Sequence, residues 1–340
     1  MTGKGEDWLA LTREEAIDPD LPICDPHHHL WNRTDDNHAY PRYLLDELLR
    51  DTASGHNIAK TVFIECGSHY RDSGPENLRP VGETEFVEAI AKESERRRAT
   101  DGSAIVAGIV GYAEFRQGEA VRALLEAHLE ASPTRFRGIR QIAAWDTNGE
   151  LWHRNPVPPG LLLDADFRRG FACLAGYGLS YEAWLYHHQL PDLLDLARSF
   201  PDTTIILNHI GGPLGVGAFA TLREAVFSYW KHYIGRLAEC PNVVVKLGGL
   251  GMPICGFDWH TRPAPPSSGE LAETMRPYIL WCLETFGTER CMFESNFPVD
   301  KESCSYVTIW NAFKRIAEGF SADEKARLFH DNAVRTYRLD

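Results

Sequence analysis

The chain has 340 residues, 44% of them hydrophobic, with 48 acidic against 35 basic side chains and a formal charge of −13. That length suits one barrel-sized domain or two small ones, and an acidic chain without a long basic run disfavours nucleic acid and anionic membrane surfaces as partners. No window is apolar for long enough to span a bilayer, and the polar N-terminus carries no signal-peptide pattern.

Strand-like apolar runs alternate with amphipathic helical runs along the whole chain. The strands are expected at residues 23–24, 60–66, 104–110, 136–142, 179–185, 203–207, 243–247 and 290–293. Helical patterns fill the intervals at 82–98, 118–131, 190–200, 222–240 and 269–286, and two more follow the last strand at 305–318 and 322–337. Ser321 with Glu324 reads as a capping box for the final helix. Eight strands, each followed by helix, predict an α/β fold, a (β/α)8 TIM barrel. We expect a single domain over 1–340, with residues 1–20 as an N-terminal arm and 305–340 as extra C-terminal helices. A doubly wound open sheet is the alternative; no Gly-x-Gly-x-x-Gly follows any strand to support it. The eight cysteines form no Cys-x-x-Cys pair and read as buried thiols of a cytoplasmic protein.

Barrel chemistry gathers at the C-terminal ends of the strands. The first strand runs into Asp25-Pro26-His27-His28-His29. Alternation along a strand puts His27 and His29 on one face and His28 on the other, so two imidazoles can grip one metal ion or one substrate oxygen. A solvated triple histidine is the plainer reading. Later strand ends carry Glu65 to Arg71, Arg137 to Gln141, Tyr186-His187-His188-Gln189, Asn208-His209, Lys246-Leu247-Gly248-Gly249 and Glu294 to Lys301. A purely structural barrel has no reason to load its strand ends this way.

Six segments in this order resemble the amidohydrolase superfamily, specifically its amidohydrolase-2 branch of lactonase-like proteins. They are Asp-x-His-x-His at 25–29, Val-Phe-Ile-Glu-Cys-Gly at 62–67, Arg-Gly-Ile-Arg at 137–140, Asn-His-Ile-Gly-Gly-Pro at 208–213, Lys-Leu-Gly-Gly-Leu at 246–250 and Ser-Asn-Phe-Pro-Val at 295–299. The resemblance implies a barrel hydrolase with His27 and His29 at the first metal position. His209 would polarise the carbonyl or orient water, and His187, rather than His188, would be a fifth-strand ligand. It implies a divalent metal, zinc before others, whose bound water ionises near neutral pH. Some members of the branch work without metal, so a metal-independent site stays open.

One departure stands out. The family places an aspartate at the eighth-strand Ser-Asp-x-Pro, and this chain has Asn296 there; a carboxamide is a poor proton acceptor and a weak ligand. Either the base lies elsewhere or the site does not make metal hydroxide in the usual way. Asp300, past Phe297-Pro298, is the expected base because it would reach the open mouth; Glu294 is the second candidate, expected deeper and locked to Arg or Lys. Arg140 and Arg137 are candidates for a substrate carboxylate, with bracing of Glu65 as their rival role. Lys246 is either a carboxylate partner or a substrate contact, and Glu65 a proton shuttle or a brace. Tyr70 and Arg71 are expected to line the pocket. Two long loops, 144–160 with Trp145, Asp146, Trp152, His153 and Arg154, and 248–268 with Met252, Phe257, Trp259 and His260, look like lids. Their aromatics suit a flat ring substrate contacted by Trp259; the alternative is that they only pack the loops or an interface.

The expected activity is hydrolysis of a lactone or similar cyclic ester, a small and anionic substrate. A metal-dependent decarboxylase of a small aromatic acid is the second reading, and a catalytically silent ligand-binding barrel the third. A homo-oligomer is left open.

Overall fold

The computed structural model describes residues 5–33, 39–97, 104–147, 151 and 157–339. Eight parallel strands follow one another in chain order around a single sheet. They are β1 (Ile23–His28), β2 (Ile58–Ile64), β3 (Ala104–Gly111), β4 (Phe136–Arg140), β5 (Ser180–Ala183), β6 (Ile205–Leu207), β7 (Val243–Leu247) and β8 (Cys291–Phe293). Helices pack outside them, and most of the apolar core lies between the two layers. This is a single-domain TIM barrel with added C-terminal helices. β1 runs further than the sequence suggests, carrying its pairing through His28, opposite Phe63 of β2.

The segment just past β8 closes the ring. The Asn296 N–H donates to the His27 carbonyl at 3.0 Å, and the His29 N–H to the Phe297 carbonyl at 2.8 Å. Asp25 locks the seam: its carboxylate accepts from the Ser295 N–H (3.0 Å), the Ser295 hydroxyl (2.5 Å) and the Tyr306 hydroxyl (2.8 Å). Burial nevertheless pushes the Asp25 carboxyl up to about 6, against those hydrogen bonds.

Inward-facing side chains line the barrel from bottom to top. Their lower members, Val62, Ile64, Val110, Ile206 and Met292, form an apolar floor with Cys24 and with Tyr337 and Leu339 from the C-terminal segment. Their upper members, Arg140, Glu182, Lys246 and Glu294, are polar and buried. The change from apolar to charged along one interior face marks where packing ends and chemistry begins.

Three features depart from the sequence reading. A short antiparallel ribbon, Trp31–Asn32 against Arg42–Tyr43, follows β1. The final helix is broken by a π-turn at Arg327–Asp331, although the Ser321–Glu324 capping box that starts it is present. The 248–268 loop is strapped down by the N-terminal arm, with the Trp8 indole N–H on the Arg262 carbonyl (3.0 Å) and the Thr12 hydroxyl on the Pro265 carbonyl (2.8 Å). All eight cysteines are free. Among the described residues no helix is long and apolar enough to cross a membrane.

Candidate active site

Glu294 stands at the centre of the barrel mouth, one residue past β8. Its Oε1 accepts from the His209 backbone N–H (3.0 Å) and lies 2.7 Å from His209 Nδ1. Its Oε2 lies 2.7 Å from His27 Nδ1, yet is not aligned with it and has no hydrogen-bond partner. A carboxylate only accepts, so His209 carries its proton on Nδ1 and presents the Nε2 lone pair. The same logic applies to His29, whose Nδ1 lies 2.8 Å from the Ile64 carbonyl. The His27 ring sits 4.5 Å from that of His209 and 5.0 Å from that of His29. Burial above all, then the cationic Lys246 nearby, holds His27 well below the usual imidazole range. His29 is lowered too, by burial and then by Arg140. Both are neutral at physiological pH.

Backbone geometry makes this cluster possible. His209 and Ile210 both take left-handed φ values, +52° and +50°, which turn the His209 ring back over the mouth. Opposite them, Gly248 and Gly249 follow β7. A Cβ on Gly248 would sit 2.5 Å from Glu294 Cγ, and one on Gly249 would sit 2.4 Å from His209 Nδ1. The two glycines hold the space into which the acid and the histidine fit.

Beneath the cluster runs a buried charge network. Lys246 Nζ is 2.8 Å from Glu182 Oε2 and 3.3 Å from His27 Nδ1. Glu182 also accepts from the Asn208 amide and the Tyr337 hydroxyl. Arg140 donates from Nε to Glu65 Oε1 at 2.8 Å and from a second nitrogen to the Glu65 carbonyl, and its Nη1 lies 3.4 Å from His27 Nε2. Arg140, Glu65, Glu182, Lys246, His27, His29, His209 and Glu294 therefore form one connected group.

Other candidates lie elsewhere. Asp300, expected at the mouth as base, is fully buried; its oxygens accept from the Asn296 amide (2.8 Å) and the Gly251 N–H (2.9 Å), and burial pushes it up to about 8. It braces Asn296, and Glu294 occupies the central position instead. Asn296 itself has φ +57° and points its amide at Asp300. His187 is not in the cluster: its ring packs on Phe219 and its Nδ1 accepts from the Leu214 N–H at 3.3 Å. Arg137 is at the opposite end of the barrel, donating to the carbonyls of Arg338 and Phe136; three residues from Arg140 on a strand, it must face the other way. Arg71 is a surface ion pair with Glu85. Trp259 is buried and stacked on Phe257, packing its loop. Tyr70 lines a cleft of about 680 Å³ with Tyr112 and Arg79, beside the mouth. Trp152, His153 and Arg154 lie outside the described residues.

Sequence reasoning missed Glu182, a carboxylate at an inward position of an otherwise apolar strand; applying parity to β5 would have found it. It also missed Arg33, whose guanidinium lies 4.2 Å over Trp31, which in turn stacks on His29. Trp184, edge-on to His209 at 4.7 Å, was missed as well.

The donor set fits a metal. Nitrogens of His27 and His209 and a Glu294 oxygen all lie within 4.8 Å of one another, and the buried, unpartnered Oε2 is a lone pair held ready. Two histidines and a carboxylate are a donor set that zinc takes in catalytic sites.

Comparison with known proteins agrees with this architecture. The uncharacterized protein y4mH of Sinorhizobium fredii is 37% identical, over 94% of this chain and 99% of that one. An L-fucono-1,5-lactonase of Burkholderia ambifaria is 25% identical, over 93% and 95%. The crystal structure of a zinc-bound amidohydrolase from Burkholderia multivorans superposes with a TM-score of 0.71 at 24% identity, over 94% and 99%. The amidohydrolase family matches residues 24–339, nearly the whole chain. This chain belongs to the amidohydrolase family and is a hydrolase.

Proposed function

We propose that the chain hydrolyses a lactone or a similar cyclic ester that bears a carboxylate. The observation that carries this reading is Glu294, a buried carboxylate held between His27 and His209 with one oxygen lacking a hydrogen-bond partner. Glu294 takes a proton from the attacking water, whose oxygen bonds to the carbonyl carbon. The ring C–O bond then breaks, and the proton passes to the departing alkoxide. Arg140 and Lys246, both against His27, put positive charge where the carbonyl oxygen gains negative charge. Arg33, whose guanidinium lies over Trp31 and donates to the Cys66 carbonyl, stands beside the mouth as the candidate contact for the substrate carboxylate. A divalent ion held by His27, His209 and Glu294 would polarise the carbonyl and acidify water, and the zinc in the Burkholderia multivorans structure makes zinc the first ion to test. The Burkholderia ambifaria relative, an L-fucono-1,5-lactonase, supports the lactone class.

The test is a panel of sugar-acid and carboxylated lactones followed by a pH indicator. Glu294→Gln should lower kcat by about 10²–10⁴-fold, the usual contribution of a positioned proton acceptor. A near-wild-type rate removes Glu294 as base. No turnover across the panel removes the lactone class.

A further inference from the structure

We infer that Lys246 sets how tightly this barrel holds a divalent metal, because its ammonium competes for the space and charge of the three-donor group. The inference rests on the proposed metal reading of His27, His209 and Glu294.

Lys246 is fully buried on β7, with its Nζ 3.3 Å from His27 Nδ1. A fixed positive charge therefore already stands against one of the donor residues. Its anchor is Glu182 at 2.8 Å, and Glu182 is held in turn by Asn208 and by Tyr337 from the barrel floor, so the ammonium cannot swing aside cheaply. The second nitrogen of His27 faces Arg140 Nη1 at 3.4 Å. Both ring nitrogens of this histidine are thus approached by cations, an unusual setting for a residue that would bind a third.

Formal charge points the same way. Glu294, Glu182 and Glu65 bring three negative charges into the connected group, and Lys246 and Arg140 bring two positive ones. The surplus is a single negative charge, half of what a divalent ion needs for neutrality in a buried site. Removing the Lys246 charge doubles that surplus without touching a donor atom. The ammonium also supplies some of the electrostatic work a metal would do, polarising groups at the mouth from a fixed position. In this chain the lysine and the metal are alternatives that share one site, and Lys246 keeps the affinity for the metal low.

The experiment is zinc affinity of the purified, chelator-stripped protein, measured by competition with a chromophoric chelator at fixed pH. Lys246→Met should bind zinc at least tenfold more tightly than the natural protein, and Lys246→Arg, which keeps the charge, should not. If Lys246→Met alone does not fold, Lys246→Gln, whose neutral amide can still donate to Glu182, takes its place and should also gain affinity. Unchanged or weaker zinc binding in the folded variant overturns the inference. His209→Ala separates the two readings. If it abolishes zinc binding while Lys246→Met changes nothing, this inference alone fails. If zinc binding survives His209→Ala, the ion sits elsewhere, and the metal reading of the site falls with it.

Discussion

Substituting Gly249 by alanine tests the mouth geometry without altering any charged group. An added Cβ would lie 2.4 Å from His209 Nδ1, and ordinary contact begins at 3.4 Å, so the ring must retreat by about 1 Å. A displacement of that size at a reacting group costs about 10²-fold in rate. Gly249 also has φ +70°, where an alanine is strained by about 1–2 kcal/mol whatever its surroundings. Gly160→Ala separates the two effects, because Gly160 has φ +65° and nothing within 4 Å of its added Cβ. Gly160→Ala should lose about 1–2 kcal/mol in urea unfolding, and Gly249→Ala more, because its added Cβ also meets the His209 ring. Only Gly249→Ala should lose about two orders of magnitude in kcat/KM on a lactone substrate. Equal activity in the two variants would refute the claim that this glycine exists to admit His209.

Other consequences are equally direct. Lys301, buried with its Nζ 2.8 Å from Asp51 Oδ1, should cost about 3–5 kcal/mol on replacement by methionine, because the buried Asp51 carboxylate loses the cation it is paired with; denaturant midpoints measure this. Asp25→Asn sets an amide against the Ser295 donors at the barrel seam and should lose about 1–3 kcal/mol in the same assay. His128, buried between the Thr84 hydroxyl and the Tyr112 carbonyl, is held down to about 4 by burial, against 6.5 for a free imidazole. The unfolded chain then takes up a proton that the folded chain refuses. Stability is full above pH 6.5, falls as the pH drops from 6.5 to 4, and levels off below that, a loss of about 3 kcal/mol for this one group. In His128→Phe the unfolding free energy should be flatter across that window, and an unchanged slope would exclude His128 as a source of acid lability.

The barrel was legible because its signal is local and repeated: each expected strand overlaps the observed one, and the Ser321–Glu324 cap lies where its spacing put it. Strand-end histidines His27 and His209 were legible for the same reason. What failed depended on direction rather than position. Arg137 was kept as a substrate candidate beside the preferred Arg140, although an interval of three on a strand sends the two to opposite faces. Asp300 was preferred over Glu294 on the assumption that residues past a proline return to the mouth. In fact Asn296 turns into the left-handed region, carries the chain under the rim, and buries Asp300. His187 begins a short helical turn after β5, and no local pattern shows which way such a turn points its first ring. The ribbon at 31–43 is too short for any periodicity to register.

The seam between β1 and the segment past β8 also has a bearing on how the protein is made. Asp25 and Ser295 are 270 residues apart in the chain, and the bonds they share hold the ring shut. At a synthesis rate of about 5–20 residues per second, roughly 15–55 s separate the emergence of the two. One edge of β1 is covered early by β2; the other stays open for that whole interval, a bare backbone template beside His27 and His29. Yield in a living cell therefore depends on what shields that edge during translation as much as on the stability of the finished ring.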